Sequence, residues 1–160
     1  ETKVAWECAL TYDGPTALVL SRQSLPMTTD GDAVRFGAET ISATPNPDLI
    51  LVGTGSEVSV CVGAAKLLSE SGTKVSVVSM PSMDRFEQQP AQYRATVFPP
   101  NVPVVSVEAG VTFGWSQYAD VSVGIDRFGA SAPGSTVLKN LGISADNVAE
   151  QARVVLSKAK

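Results

Sequence analysis

A glycine-containing corner is the first stretch of this chain whose residue types and spacing suggest chemistry. It follows an apolar run at residues 49–52, precedes an amphipathic helical pattern, and consists of Gly53, Thr54, Gly55 and Ser56. Backbone N–H groups at such a corner can bind phosphate. However, Val58 replaces the third glycine of a GxGxxG pattern, and no Gly-Lys-Ser/Thr follows. A tight strand-to-helix turn is the preferred interpretation, and a ligand-facing anion nest is the alternative.

Arg22 is a second candidate because of its position after a predicted strand. Residues 16–20 (TALVL) form an apolar run that predicts a short buried strand, and Arg22 lies just beyond its carboxyl end. Folds that combine strands and helices place ligand-binding groups at this position. A guanidinium there suits bidentate recognition of a phosphate. From position alone, an exposed salt bridge explains Arg22 equally well.

Glu108 also follows a predicted strand directly, at residues 102–107, and precedes the small residues Ala109 and Gly110. A carboxylate at this position can act as a catalytic acid or can accept structural hydrogen bonds from backbone N–H groups. No titratable partner for Glu108 is identifiable from the sequence. The structural role is therefore preferred, with contact to a ligand as the alternative.

The composition of the chain narrows the classes of function. The 160 residues carry a net charge of −4 and include no histidine, which excludes nucleophile systems with an imidazole base and disfavours zinc sites. The acidic balance and the lack of a basic cluster argue against nucleic acid or an anionic membrane as the main partner. Cys8 and Cys61 lack metal-ligand spacing, so free thiols in a reducing compartment are expected.

The order of predicted elements indicates an α/β sandwich, because strands alternate with helices. Strong strands are predicted at residues 49–52, 74–79 and 102–107, with weaker ones near 38–41 and 121–125. The run at 49–52 is apolar at every position, which is typical of a strand covered on both faces. The helix that follows is predicted to bury one face, formed by Val58, Cys61, Val62, Ala65 and Leu68.

Several segments, taken together, resemble the transketolase family. They are GPTALVLSRQSLP (14–26), PDLILVGTGSEV (47–58), VSVVSMPSMDRFEQQ (75–89), VSVEAGVTFGW (105–115) and GIDRFGASAPG (124–134). These segments cover most of the chain, in order and at spacings similar to those of the family. The last one is most similar to the plant and cyanobacterial branch.

The resemblance implies a place for the chain within a larger enzyme. Residues 1–23 resemble the last helix and strand of the pyrimidine-binding domain, residues 24–35 a linker, and residues 36–160 the C-terminal domain. That domain is expected to be a three-layer α/β/α unit with a mixed, mostly parallel five-stranded sheet, and the weak strand near 38–41 is the candidate antiparallel strand. The chain begins at Glu1 inside a helical pattern, which also suggests a piece of something longer.

The family resemblance implies transfer of a two-carbon ketol unit between sugar phosphates in the pentose phosphate pathway or the Calvin cycle. The family is homodimeric, uses thiamine diphosphate with magnesium or calcium, and works in the cytoplasm or the plastid stroma. Its Ser-Arg-Gln arginine, which corresponds to Arg22, holds the substrate phosphate. Other active-site groups of the family precede Glu1, so the resemblance implies no catalytic residue, metal ligand or cofactor ligand here. The fragment is expected to be inactive alone.

Two alternatives from other classes remain at this point. The chain can be a non-catalytic regulatory or oligomerisation module on the same fold. It can also be an independent phosphate- or nucleotide-binding α/β domain that uses the corner at residues 53–56.

Overall fold

The computed structural model describes residues 1–158, which form one five-stranded sheet and seven α-helices. The strands are β1 (Glu39–Ser42), β2 (Leu49–Gly53), β3 (Val75–Ser79), β4 (Val104–Val107) and β5 (Val121–Val123). The helices are α1 (Thr2–Thr11), α2 (Asp32–Phe36), α3 (Glu57–Ser69), α4 (Met83–Glu87), α5 (Ala91–Val97), α6 (Gly134–Asn140) and α7 (Ala145–Lys158). None of these helices has the length and apolar character needed to cross a membrane.

The sheet has the strand order β1-β3-β2-β4-β5, and every neighbouring pair is parallel except β1 with β3. The expected mixed, mostly parallel five-stranded sheet is therefore confirmed, and β1 is the antiparallel strand predicted near residues 38–41. Because β2, β3, β4 and β5 run in the same direction, the loops that follow them emerge at one edge of the sheet. We call this the carboxyl edge.

The sheet is buried on both faces, which confirms the three-layer arrangement. Every residue of β2 and β3 is buried. On one face, Leu49 and Leu51 pack in a cluster with residues of α3 and α7. On the other face, Ile50 and Val52 pack with residues that include Phe86 of α4, Val97 of α5 and Trp115. Successive side chains of a strand point to opposite faces, so a strand that is apolar throughout requires cover on both sides.

The buried face of α3 differs in part from the predicted one. Val58, Cys61 and Leu68 are buried as expected, and Ala65 packs at the edge of the cluster, but Val62 is 41% exposed and Ala64 is fully buried. Helix α3 packs against both the sheet and α7. A helix with neighbours in two directions buries a wider stripe than the simple period predicts, and this places the small residue Ala64 inward.

The predicted strand at residues 16–20 is not present. These residues form no strand, and Val19 is 96% exposed. The five strands found in residues 1–158 all belong to one sheet, and none of them lies beside this segment. An extended segment becomes a strand only when a neighbour accepts and donates its backbone hydrogen bonds, which an apolar run cannot supply by itself.

The amino-terminal helix is confirmed as α1, and it docks on a short helix that the sequence did not predict. Helix α2 begins at Asp32, inside the segment expected to be a linker. Arg35 donates a hydrogen bond to Glu7 at 2.8 Å, which joins α2 to α1. Val4 packs at Gly31, where an added Cβ would come within 2.5 Å of Val4 Cγ2. The amino-terminal helix is therefore held against the end of the segment that was expected to be a linker.

The corrected face of α3 leads to a stability prediction. Leu68→Ala removes a fully buried side chain and leaves a cavity, so we expect the free energy of unfolding to fall by about 2–5 kcal/mol. Val62→Ala on the same helix removes a side chain that is 41% exposed. This variant should change the free energy of unfolding by less than about 0.5 kcal/mol. Urea denaturation of the two variants measures both values, and equal losses would contradict the assignment of the buried face.

Candidate functional site

The corner at residues 53–56 and Glu108 lie side by side at the carboxyl edge. Strands β2 and β4 are parallel neighbours, and their last residues, Gly53 and Val107, pair with each other. The corner follows Gly53 directly, and Glu108 follows Val107 directly. Two candidates that are more than fifty residues apart in the chain are thus brought together by the register of one strand pair.

Glu57 connects the corner to the loop after β4. This carboxylate is only 5% exposed. Its Oε2 accepts a hydrogen bond from the Ala109 N–H at 3.1 Å, and its Oε1 accepts one from the Ser56 hydroxyl at 2.7 Å. A buried carboxylate is costly unless hydrogen bonds satisfy its oxygens. These two bonds satisfy it and fix the start of α3 against the end of β4.

The corner itself is closed by its own backbone. The N–H of Glu57 donates to the Thr54 carbonyl at 3.1 Å, and the N–H of Val58 donates to the Gly55 carbonyl at 3.4 Å. The Gly53 carbonyl accepts from Met80 N–H at 2.9 Å, which attaches the corner to the end of β3. These bonds form a tight strand-to-helix turn. Ligand contact at the corner stays a prediction.

Two glycines of the corner are required by its geometry. Gly55 has a φ of +53°, in the left-handed region that side chains with a Cβ rarely adopt. A Cβ on Gly53 would lie 3.0 Å from Val58 N and from Cys61 Sγ, so the first turn of α3 packs directly on the strand end. The glycines that suggested a phosphate loop are thus explained by backbone conformation and close packing.

Glu108 has a structural partner that the sequence did not reveal. Its Oε2 accepts a hydrogen bond from the indole N–H of Trp115 at 2.7 Å. Trp115 is only 2% exposed, and a buried indole N–H needs an acceptor. Glu108 itself is half-buried. The bond positions the loop between β4 and β5 at the carboxyl edge, while a role of Glu108 in binding a ligand stays a prediction.

The amino-terminal segment crosses this same edge and carries Arg22 to it. The Ser79 hydroxyl, at the end of β3, donates to Glu1 Oε1 at 2.6 Å. Further along the segment, Ser21 lies beside the corner, since its Oγ is 3.6 Å from the position that a Cβ on Gly55 would occupy. Arg22 follows Ser21 and is exposed. Within residues 1–158, no hydrogen bond or ion pair engages its guanidinium, which leaves it free to bind an anion.

An acidic group lies at the far side of the same edge. One oxygen of each carboxylate of Asp30, Asp32 and Glu39 lies within 4.8 Å of the others. Partial burial of Glu39 and the neighbouring charges of Asp30 and Asp32 raise the pKa of the Glu39 carboxyl above its ordinary value. Arg35 lies 3.6 Å from Asp32 and offsets part of this charge.

The sequence identified Arg22, the corner and Glu108, but it did not identify Glu57 as the residue that connects the corner to the loop beginning with Glu108. In the sequence, a glutamate at this position is explained by the favourable interaction of a negative charge with the first turn of a helix. Its contact with Ala109 joins residues 52 positions apart, and no local pattern predicts such a contact. The one available signal is a glutamate that follows a glycine corner at the end of a central strand.

Known proteins match this chain both in sequence and in fold. Residues 37–144 match the family model for the transketolase-like TK C-terminal domain. Transketolase from Bacillus subtilis strain 168 is 43% identical over 170 aligned positions, which cover 99% of this chain and 26% of that protein. The chain therefore spans about a quarter of the length of this relative.

Solved structures give the same result. A transketolase from Leishmania mexicana matches with a TM-score of 0.94 and 43% identity, covering 98% of this chain and 24% of that one. A transketolase from Pichia stipitis in complex with sedoheptulose-7-phosphate matches with a TM-score of 0.82 and 37% identity. In this case the match covers 86% of this chain and 21% of the other.

The packing beneath the corner predicts unequal reactivity of the two cysteines. Cys61 is fully buried under Gly53, and burial together with the Glu57 charge raises the pKa of its thiol. Because the thiolate is the reactive form, iodoacetamide should modify the half-buried Cys8 first and Cys61 only as the chain unfolds. Peptide mapping by mass spectrometry distinguishes the sites. In urea both should react, and rapid native labelling of Cys61 would contradict the packing.

Proposed function

The chain belongs to the transketolase family, and we propose that the whole enzyme moves a two-carbon ketol unit from a ketose phosphate to an aldose phosphate. The match to the C-terminal domain model over residues 37–144 supports this proposal. The relatives to which the chain is similar are transketolases about four times its length. In this proposal the chain supplies the C-terminal domain together with one arginine of the substrate site, and the remainder of the enzyme supplies the reacting groups.

The residues of this chain do not fit the metal–diphosphate group of thiamine diphosphate. A diphosphate needs cations or free N–H groups, but in residues 1–158 the one cluster of three potential ligands is the carboxylate group of Asp30, Asp32 and Glu39. The nearby Arg35 is engaged by Asp32 and by Glu7. We therefore propose that the thiamine diphosphate and magnesium of the full-length enzyme are held by residues outside this chain.

Arg22 is proposed to bind the phosphate of the sugar substrate. The observation that carries this assignment is its exposed guanidinium beside the corner, without a partner among residues 1–158. The Pichia stipitis relative was solved with a sugar phosphate, and Arg22 lies in the Ser-Arg-Gln segment by which the chain resembles the family. A planar guanidinium offers two parallel N–H donors to phosphate oxygens, which fits this substrate class.

The remaining predictions from the sequence are not equally supported. An independent nucleotide-binding domain has less support, because residues 37–144 match the family model for the transketolase-like C-terminal domain. The homodimer, the plant or cyanobacterial branch, the pathway and the compartment stay predictions. An oligomerisation role is compatible with family membership, since the amino-terminal segment exposes Leu10, Val19 and Met27.

Replacement of the arginine tests the phosphate assignment. In the full-length enzyme, Arg22→Ala removes charge-assisted hydrogen bonds worth about 1.5–3 kcal/mol each. The KM for phosphorylated sugars should therefore rise about tenfold to a hundredfold, while the KM for unphosphorylated analogues should change little. Steady-state kinetics with both substrate classes measures the difference.

The matched control is Arg153→Ala, which removes an exposed arginine from α7. It should leave both KM values near those of the unmodified enzyme. An equal rise of the two KM values in Arg22→Ala would show that Arg22 does not recognise phosphate.

The proposal that residues outside this chain hold the cofactor is tested with the 160-residue chain alone. It should show no ketol transfer and no saturable binding of thiamine diphosphate with magnesium, because the proposed ligands lie elsewhere. Calorimetry measures the binding, and a coupled assay measures the transfer. Turnover by the purified chain would refute the proposal.

A further inference from the structure

We propose that a cleft between β1 and α5 binds a small organic amine, with its protonated amino group beside the Glu39 carboxylate and its apolar body along the cleft wall. Neither Arg22 nor the corner at residues 53–56 lines this cleft, so the inference is separate from the proposed phosphate role. We call it the β1–α5 cleft.

The β1–α5 cleft has the size of a small-molecule site. Its volume is about 380 Å³, within the range of roughly 300–1,000 Å³ that ligand pockets occupy. The residues that line it lie between positions 36 and 99, and the match to the C-terminal domain model begins at residue 37. The walls of the cleft therefore belong to this domain and do not depend on the amino-terminal segment.

One wall of the cleft is apolar and aromatic. The rings of Phe36 and Tyr93 both line it, with their centroids 5.2 Å apart and their planes at 41°. Ile50 of β2 and Val97 of α5 also line it, and both belong to the buried cluster on this face of the sheet. A ligand body that covers these side chains removes apolar surface from water, which favours binding.

The polar end of the cleft is negatively charged. The Tyr93 hydroxyl donates to the Ala38 carbonyl at 2.9 Å, which places it next to Glu39 at the start of β1. Partial burial, followed by the charges of Glu39 and Asp32, raises the pKa of the Tyr93 hydroxyl above its ordinary value. Both carboxylates therefore lie near a side chain that lines the cleft, and Glu39 lines the cleft as well.

The charge at this end is only partly neutralised within the protein. One oxygen from each of Glu39, Asp30 and Asp32 lies within 4.8 Å of the others. Arg35 lies 3.6 Å from Asp32, but it is shared with Glu7 at 2.8 Å. Within residues 1–158, no ion pair engages Glu39 or Asp30. A ligand that places a positive charge beside Glu39 supplies a countercharge, whereas an anion is repelled.

A protonated amine on an apolar body uses both parts of the cleft. Its ammonium group donates charge-assisted hydrogen bonds to a carboxylate, and aromatic rings attract a cation through their electron-rich faces. The hydroxyl groups of Thr40, Thr44 and Thr96 line the cleft and can accept further hydrogen bonds from the amine. A bare metal ion, in contrast, makes no use of the apolar wall.

Two probes with the same body isolate the role of the charge. Phenylethylamine and phenylethyl alcohol differ only in carrying a charged or a neutral head group. Titrated into the full-length enzyme and followed by saturation-transfer NMR, the amine should bind with a Kd of about 1 mM. The alcohol should bind about tenfold more weakly, because it lacks the charge-assisted hydrogen bond to Glu39. Equal affinities, or no saturable binding of the amine because another part of the enzyme covers the cleft, would overturn the inference.

Replacement of the carboxylate tests the partner of the amino group. Glu39→Gln keeps the shape of the side chain and relieves repulsion among the three carboxylates, so the variant should fold. The Kd of the amine should rise about tenfold, to that of the alcohol, while the Kd of the alcohol should stay unchanged. The matched control is Glu150→Gln on α7, an exposed position, which should change neither value. A preference for the amine that persists in Glu39→Gln would contradict the inference.

Two variants at the mouth of the cleft test where the probes bind. Ala43→Phe and Thr96→Trp each add a ring at a residue that lines the cleft. Both positions are exposed, so the larger side chains should not unfold the domain. Weaker binding of the amine and the alcohol together, in either variant, would support the cleft as the site. Unchanged binding of both probes in both variants would place the site elsewhere and overturn the inference.

Discussion

The burial of both faces of β2 is the constraint on which the rest of this structure depends. All five residues of the strand are buried, so helices must cover the sheet from both sides. Parallel neighbours on each side of β2 require crossover connections, and these bring the ends of β2, β3 and β4 to one edge. The corner, Ser79 and Glu108 meet there because the central strand cannot be exposed.

The electrostatics of the carboxyl edge depend on the hydrogen bonds that its carboxylates accept. Glu57 and Glu108 both lie near the corner, and two unpartnered negative charges would oppose a phosphate at Arg22. Each one instead accepts a hydrogen bond from a fixed donor, Ala109 N–H or the indole of Trp115. Each of these bonds offsets part of the carboxylate charge, and the exposed Arg22 guanidinium has no hydrogen-bond or ion-pair partner within residues 1–158.

The predictable parts of the fold are the elements that the residues of a single segment determine without help from a neighbouring segment. The segments at residues 49–52 and 74–79 predicted β2 and β3 nearly to the residue, because the first is apolar at every position and the second is rich in valine. Residues 16–20 carry a similar signature but lack a neighbouring strand in the described range, so the prediction was wrong. Helix α2 was missed because five residues are too few to show a helical period.

The residues of the candidate site could be predicted from the sequence, but the contacts between them could not. Arg22 and Glu108 were found because each follows an apolar run that predicts a strand, and the corner was found by its glycines. The contacts at this edge run between segments, from Glu57 to Ala109 and from Ser79 to Glu1. Each depends on which strands become neighbours, and that choice is made by the whole core. The strand register that buries β2 therefore also determines which segments meet at the carboxyl edge, where Arg22 is exposed.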